Sequence, residues 1–424
     1  MCATRVALGP DTLACVKRTE RIRLYPSTRQ EQALRFMLDV TRELYNALLQ
    51  ERRDAYRLRG ITVTSKVQYA ELTALRADDR RVRSVYRECE DAVLHRLDLA
   101  MSAFFGRCKR GETPGFPRFK GGARWQQIEF PHGHRALHLD AEQCRVSIPG
   151  VGAVKLRKGR TVPATFGRGW VVRRTGRWYG CFECERTAKP LPKSGTVVGV
   201  DRGVRVLAAL SDGRLIANAA VGEKRRAATA RLQRQLEAVT MRDTAGRVRN
   251  RGDHRRIAAV RRLARAKERE ANARRDYAHK VARQIVNGAE VIGLEKLRVR
   301  ALTRSAKGTA DRPGRNVRAK AGLNRVVLDS GFGLLRQMIV AKAGEAARTV
   351  VEVDARFSSQ ECSRCGHVAA ESRRRRRFCC VACGFRVHAD VNAALVIRGR
   401  AQLALRSELD PAEDAGRGDH DVAA

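Results

Sequence analysis

Polar and apolar positions along this chain fall into three stretches of different period. Arg21-Ile22-Arg23-Leu24-Tyr25 alternates, the mark of a short half-buried strand, and Pro26 ends it. Ser27 with Gln30 forms a capping box. Ala33, Phe36, Met37, Val40, Leu44, Ala47 and Leu48 then recur at helical spacing. Helical patterning continues to about Arg107, with a loop near Gly60. From 113 to 190 the period shortens to two. Residues 144–148 and 153–156 flank a Pro-Gly turn, and 170–173 and 177–184 flank Thr175-Gly176, which predicts β-hairpins. Beyond the linker at 191–193, strands are predicted at 196–200, 204–210 and 215–219, with Asp212-Gly213 as a hairpin turn. Helices follow at 224–239 and 253–287, a strand at 290–294, a helix at 327–347, a strand at 350–353 and a helix at 389–400. Residues 300–324 are rich in Gly, Pro, Arg and Lys without periodicity and read as a mobile basic loop. The first 19 residues read as a disordered arm.

Charge narrows the function classes. Lys plus Arg number 86 against 45 Asp plus Glu, a net charge of +41 over 424 residues. Such an excess repels itself in a compact state unless a polyanion neutralises it, so nucleic acid is the expected partner and a small-molecule enzyme is disfavoured. An anionic membrane surface is the weaker alternative. No apolar run approaches the roughly 18 residues of a membrane helix and no signal peptide opens the chain, so a prokaryotic cytoplasmic, nucleoid-associated protein is expected. Of the 12 cysteines, five crowd into 362–383, which suits a metal site in a reducing compartment better than a disulfide framework. From Glu408 onward six acidic residues face one Arg, so residues 401–424 read as a disordered acidic tail.

Three carboxylates stand at comparable places. Asp201 ends Val197-Val198-Gly199-Val200, Glu295 ends Val291-Ile292-Gly293-Leu294, and Asp390 opens the last helix. Carboxylates converging at sheet ends can hold Mg²⁺ or Mn²⁺ through oxygen, and two such ions clamp the attacking and leaving oxygens of a phosphodiester. The strand–hairpin–strand order with long helical insertions suggests an RNase H-like sheet. The order Asp, Glu, Asp resembles RuvC-type nucleases, whereas cut-and-join transposases of that fold usually run Asp, Asp, Glu. Cys362-Ser363-Arg364-Cys365 and Cys380-Val381-Ala382-Cys383 are two CxxC pairs, the spacing of a tetrahedral structural zinc site, with Gly366 and Gly384 suited to the knuckle turns. Cys379 falls outside that spacing. Cys181 and Cys184 lie in a strand-like segment and are read as structural, and His367 is not needed as a ligand. His388 is read as structural too, although it stands two residues before Asp390. The five arginines 373–377 and the basic helix carrying Arg255, Arg256, Arg261, Arg262, Arg265, Lys267, Arg274 and Arg275 are candidate phosphate contacts. Phe116, Trp125 and Phe130 could stack on bases, but packing is the favoured role.

Taken together these residues resemble the TnpB (OrfB) proteins of insertion sequences. Ser359-Gln360-Glu361-Cys362-Ser363-Arg364-Cys365-Gly366, Phe378-Cys379-Cys380-Val381-Ala382-Cys383-Gly384 and Asp390-Val391-Asn392-Ala393-Ala394 are similar to the family's C-terminal signature. Gly199-Val200-Asp201-Arg202-Gly203 and Leu294-Glu295-Lys296-Leu297 are similar to its nuclease motifs, and Tyr45-Asn46-Ala47-Leu48-Leu49 and Pro117-Arg118-Phe119-Lys120 to its N-terminal half. The resemblance implies an RNA-guided DNA endonuclease, with a guide RNA from the mobile-element end and a double-stranded DNA target cut beside a short protein-read motif. Compact type V CRISPR effectors share these motifs, and the modest length favours TnpB. The implied architecture is a β-barrel wedge from 20–25 and 113–190, a helical recognition unit at 26–112, a RuvC domain from 191–357 and 386–400, and a zinc module at 358–385. Arg202 stands where the family often has a small or apolar residue. Because it follows the acid rather than replacing it, it is expected to be tolerated.

Overall fold

The computed structural model describes residues 4–5, 15–159, 162–309 and 312–409. They belong to two compact units, residues 17–186 and residues 1–16 with 187–424.

In the first unit the strand Cys15–Tyr25 leads into the helix Thr28–Arg59. The capping box is present: Gln30 N–H donates to Ser27 Oγ at 3.3 Å, and Ser27 N–H to Gln30 Oε1 at 3.0 Å. Gly60, at φ +66°, closes the helix in the left-handed region. The buried stripe is wider than the sequence pattern predicts. Phe36 is exposed, while Leu34, Leu38, Tyr45 and Leu49 are buried, because this helix packs against both the helix Arg87–Lys109 and the sheet. That sheet has seven strands in the order Gln127–Phe130, Gly169–Arg174, Arg177–Thr187, Cys15–Tyr25, Gly152–Leu156, Arg145–Ile148, His138–Asp140. Its outermost strands are additions to the predicted set, and Ile128 and Phe130, both buried, are the alternating signal that marks the first. Helices and sheet share one hydrophobic core, running from Leu34 and Leu94 to Val154 and Phe182. Trp125 and Phe130 belong to it, and Trp125 donates from Nε1 to Thr41 Oγ1 at 2.9 Å, so neither can stack on a base. Phe116 is partly exposed.

The second unit is built on a six-stranded mixed sheet ordered Thr4–Arg5, Thr349–Val353, Val291–Glu295, Val197–Asp201, Val206–Leu210, Leu215–Ala217. The 291–295 strand pairs parallel with both its neighbours, and the remaining pairings are antiparallel. Period-two alternation assigns its faces. Val198, Val200, Ile292, Leu294 and Val350 pack under the helices His254–Asn287 and Phe332–Glu345. Val351 and Val353 face the other way and meet Ile397 and Ala401 of the helix Ala389–Leu409.

Several expectations are corrected here. The expected arm over 1–19 contains structure: the first strand starts at Cys15 rather than Arg21, and Thr4 and Arg5 pair with Glu352 and Val351. The last helix runs to Leu409, through the first nine residues of the expected 401–424 tail, because Ala401 is buried and residues 401–407 contain only good or neutral helix formers. The rest of the arm and the tail beyond 409 lie outside the described residues. The expected loop 300–324 contains the start of a helix, Val317–Ser330, which Gly331 at φ +67° separates from Phe332–Glu345. Its Leu323 and Leu328 are exposed, so no buried stripe announces it.

Candidate active site

Parity places two of the three carboxylates. Gly199 and Asp201 lie on one face of their strand, Gly293 and Glu295 on the same face of the neighbouring parallel strand, and Gly199 pairs with Gly293. This is the face crossed by the helix Ala389–Leu409. A Cβ on Gly199 would lie 2.0 Å from the Ala394 carbonyl oxygen, and one on Gly293 would lie 2.9 Å from Ala401 Cβ. The two glycines therefore allow helix backbone to rest on sheet backbone. Asp390 sits one helical turn before Ala394, and Asp201 two residues beyond Gly199. Both steps are about 6 Å, so Asp390 is brought toward the strand ends that carry Asp201 and Glu295, near enough for its charge to act on Asp201, although the three side chains do not bring their oxygens within 4.8 Å of one another. The signal available in the sequence was the glycine two residues before each strand-end acid.

The electrostatics agree with convergence. Burial, then the nearby Glu295 and Asp390 carboxylates, push the Asp201 carboxyl up to about 7. Burial also raises Glu295, and the adjacent Arg202 opposes that shift. Asp390 Oδ1 accepts from Arg373 at 2.9 Å, so the first of the five arginines touches the acid cluster. The other four are exposed around a hairpin whose register pairs Arg374 with Arg377. His388 Nδ1 accepts from the Asp390 N–H at 3.3 Å and so caps the helix start. Arg202, expected to be a tolerated bystander, is buried: its N–H donates to Glu295 Oε1 at 3.0 Å and its guanidinium to the Glu295 and Phe332 carbonyls.

The raised Asp201 carboxyl makes metal-free stability depend on pH. Between about pH 4 and 7 the folded chain keeps a proton that the unfolded chain has released, so this group's stabilising contribution falls as pH rises and is gone above about 7. Asp201→Asn, which cannot ionise, is expected to be more stable than the parent in EDTA at pH 8, by on the order of 1–3 kcal/mol, with the gap closing toward pH 4. Chemical denaturation at the two pH values checks this; an equal gap at both would exclude the buried-acid explanation.

The four cysteines of the CxxC pairs come together. Their Sγ atoms all lie within 4.8 Å of one another, with Cys362–Cys383 at 3.7 Å and Cys365–Cys380 at 3.6 Å. A tetrahedron of thiolates about 2.3 Å from zinc has edges of about 3.8 Å, so the donor set fits that ion. The two knuckles repeat one geometry: Cys362 N–H donates to the His367 carbonyl and Gly366 N–H to the Cys362 carbonyl, matched by Cys380 with Phe385 and Gly384 with Cys380. Backbone N–H groups of Cys383 and Ala382 pull the Cys380 thiol down to about 6, which favours the thiolate a metal requires. Cys379 is exposed on its strand and stands outside the cluster; so do half-buried Cys181, buried Cys184 and the side chain of His367.

Asn392, fully buried, joins the two sites: its Oδ1 accepts from Ser363 N–H at 3.1 Å and its Nδ2 donates to the Glu361 carbonyl at 2.6 Å. It pins the first knuckle to the helix that carries Asp390.

Comparison with known proteins bears on this arrangement. The family "OrfB_IS605", described as "Probable transposase", matches residues 180–306; "Cas12f1-like, TNB domain" matches 332–397; and the "Helix-turn-helix domain" of OrfB_IS605 matches 16–60. An Escherichia coli K12 protein named "Putative RNA-guided DNA endonuclease InsQ" is 33% identical over 312 residues, 73% of each chain. The chain belongs to the TnpB (OrfB) family. A Streptomyces pristinaespiralis protein, "Putative RNA-guided DNA endonuclease", is 25% identical over 95% of this TnpB-family chain and 94% of its own length. The "CRISPR-associated endodeoxyribonuclease Cas12f1" of Sulfoacidibacillus thermotolerans is 30% identical over 34% of this chain and 31% of its own. A solved CRISPR-Cas_phi3 structure aligns over 92% of both chains at a TM-score of 0.46 and 8% identity, a distant likeness. Within the segment that matches the helix-turn-helix family, this TnpB-family chain forms a strand and a single 32-residue helix.

Proposed function

We propose that this TnpB-family protein is an RNA-guided DNA endonuclease whose RuvC-type centre is Asp201, Glu295 and Asp390. The observation that supports this reading is the approach of three carboxylates from three separate elements: burial, then the Glu295 and Asp390 charges, raise Asp201 to about 7. Crowded buried carboxylates are relieved either by a retained proton or by a bound cation, and a divalent cation is the reading favoured for this site. Divalent metal held by these oxygens would supply Lewis-acid stabilisation to the attacking and leaving oxygens of a phosphodiester. The chain's own residues set the stage. The sheet fixes Asp201 and Glu295 side by side, the final helix delivers Asp390, and Arg373 holds Asp390 through Oδ1. The mixed sheet, a three-strand antiparallel run followed by parallel strands, supports the RNase H-like assignment.

Guide RNA and target DNA are the polyanions that the +41 charge calls for. The helices Val221–Ala238 and His254–Asn287 pack together and expose Arg225, Arg226, Arg231, Arg234, Arg255, Arg261, Arg262 and Arg265, a surface suited to phosphates. Arg274 is not part of it, since it pairs with Glu270 and Asp329. The first unit supports the wedge-and-recognition reading, with base pairing to the guide reading most of the target and protein reading a short adjacent motif. The Cas12f1 likeness spans a third of the chain, so the transposon-encoded TnpB type is the reading favoured over a CRISPR effector. The cysteine cluster holds structural zinc. Among the described residues no helix is long and apolar enough to cross a membrane.

Protein made without its RNA is expected to carry host nucleic acid, and the cognate RNA to raise its melting temperature. Affinity should fall with salt by about 0.7–0.9 log units per log unit for each phosphate neutralised. A nucleic-acid-free protein that cuts duplexes without matching guide RNA would overturn the guided reading.

A further inference from the structure

Arg202 is the residue of this centre whose chemistry the three-carboxylate reading leaves unused. Its side chain is 1% exposed and that of Glu295 6%, so both charges have been taken out of water. A buried guanidinium is retained only where its donors are used, because the desolvation cost is otherwise uncompensated. Here the terminal guanidinium nitrogens bond two main-chain carbonyls, while Nε makes only an ion pair with Glu295. The Arg202 N–H donates to Glu295 Oε1, Nε lies 3.5 Å from the same oxygen, and the guanidinium donates to the Glu295 carbonyl. A further bond at 3.2 Å to the Phe332 carbonyl ties the guanidinium to the helix Phe332–Glu345. Glu295 is thus gripped through main chain and side chain together. All of these contacts involve Oε1 and the carbonyl, and Oε2 takes no hydrogen bond among the described residues.

Two arginines touch the acid cluster, and they differ in kind. Arg373 reaches Asp390 from a hairpin and is 32% exposed, so its guanidinium can swing into water when a cation arrives. Arg202 cannot leave, since its other donor is anchored in the core. Its charge is a permanent part of the site, and its nearest carboxylate oxygen is Glu295 Oε1.

Resting on the assignment of Glu295 to the catalytic centre, we propose that Arg202 is a positioning residue for metal binding. The residue-202 main-chain N–H bonds Oε1, and the guanidinium adds an ion pair to the same oxygen and a bond to the Glu295 carbonyl, so that Oε2 is presented to the divalent cation; the guanidinium charge also lowers the repulsion among the three acids before that cation binds. Residue 202 then sets how much divalent metal the enzyme needs, rather than how fast the loaded centre turns over.

The test uses the full chain with its guide RNA. Arg202→Met and Arg202→Lys are compared with the parent by Mg²⁺ titration of target cleavage and, independently of cleavage, by Mn²⁺ binding followed by electron paramagnetic resonance of free Mn²⁺. Met keeps the main-chain N–H bond to Oε1 but loses the ion pair and the guanidinium's bonds to the two carbonyls, which predicts that Arg202→Met needs about tenfold or more Mg²⁺ for half-maximal cutting and binds Mn²⁺ correspondingly less tightly, with a smaller change in rate at saturating metal. Arg202→Lys, which keeps the charge but not the planar fork, should fall between. If Arg202→Met does not fold, Arg202→Lys decides alone. Parental Mg²⁺ and Mn²⁺ dependence in a folded variant, or a lower melting temperature with unchanged metal dependence, would overturn the proposal. Asp201→Ala is run alongside. If it cuts like the parent, the nuclease assignment itself has failed; if it is dead while the Arg202 variants match the parent, only the role of Arg202 has.

Discussion

Asp201→Ala is expected to lower guided target cleavage by about 10³-fold or more while leaving RNA-guided DNA binding largely intact. Glu295→Ala and Asp390→Ala should behave alike, because the three carboxylates act on one ion set and none substitutes for another. The separation of cutting from binding follows from where the acids sit. Asp201 and Glu295 end strands of a sheet whose other face is closed by Ile285, Leu335 and Ile339, so truncating either acid leaves that core in place. EDTA should reproduce the three variants, and added Mg²⁺ or Mn²⁺ should restore the parent but not the variants. Plasmid cleavage and gel-shift assays on the same RNA complex check both halves. Full-rate cutting by Asp201→Ala would sink the carboxylate centre.

Cys362→Ser should release the zinc, at about one ion per chain in the parent, and unfold the module around it, because structural zinc binding is itself folding free energy. The module has little else to hold it: its hydrophobic core is Phe378 and Ala389 with Cys362 and Cys380 themselves. The damage should not stay local. Asn392 holds both flanks of Cys362, Arg373 bonds Asp390, and the Ala389 N–H donates to the Arg376 carbonyl at 2.8 Å. Loss of the knuckle therefore frees the start of the helix that delivers Asp390, and cleavage should fall with zinc content even though no cysteine is in the carboxylate centre. Cys379→Ser should keep both zinc and activity, its thiol being exposed and outside the cluster. Metal analysis with cleavage assays distinguishes these outcomes. A Cys379→Ser protein without zinc, or a zinc-free Cys362→Ser protein with parental cleavage, would refute the ligand set or the coupling respectively.

The residues proposed for the two sites could be named from the sequence because each sits at a local boundary that patterning marks. A strand-end acid follows an apolar run, a CxxC followed by glycine marks a knuckle, and Ser27 with Gln30 marks a helix start. Such signals need only neighbours in the chain. The same holds for the charge, which selects a polyanionic partner whatever the fold. What the sequence could not determine depends on contacts between distant residues. Leu34, Leu38, Tyr45 and Leu49 are buried because two partners, not one, cover their helix, while Phe36 remains exposed. The helix from Val317 carries exposed leucines, so no periodic stripe marked it within a Gly- and Arg-rich segment. Glycines at 199 and 293 become meaningful only once a helix about 200 residues after the first lies across them. Of five consecutive arginines, tertiary structure alone singles out Arg373 as the partner of Asp390. Arg202, which looked like a harmless neighbour of an acid, is turned by the end of its strand into the core, where its guanidinium lies against the Glu295 carboxylate and bonds two carbonyls. Local patterning specifies which groups are present and where each element begins; long-range packing decides which of them meet, and in how dry a setting.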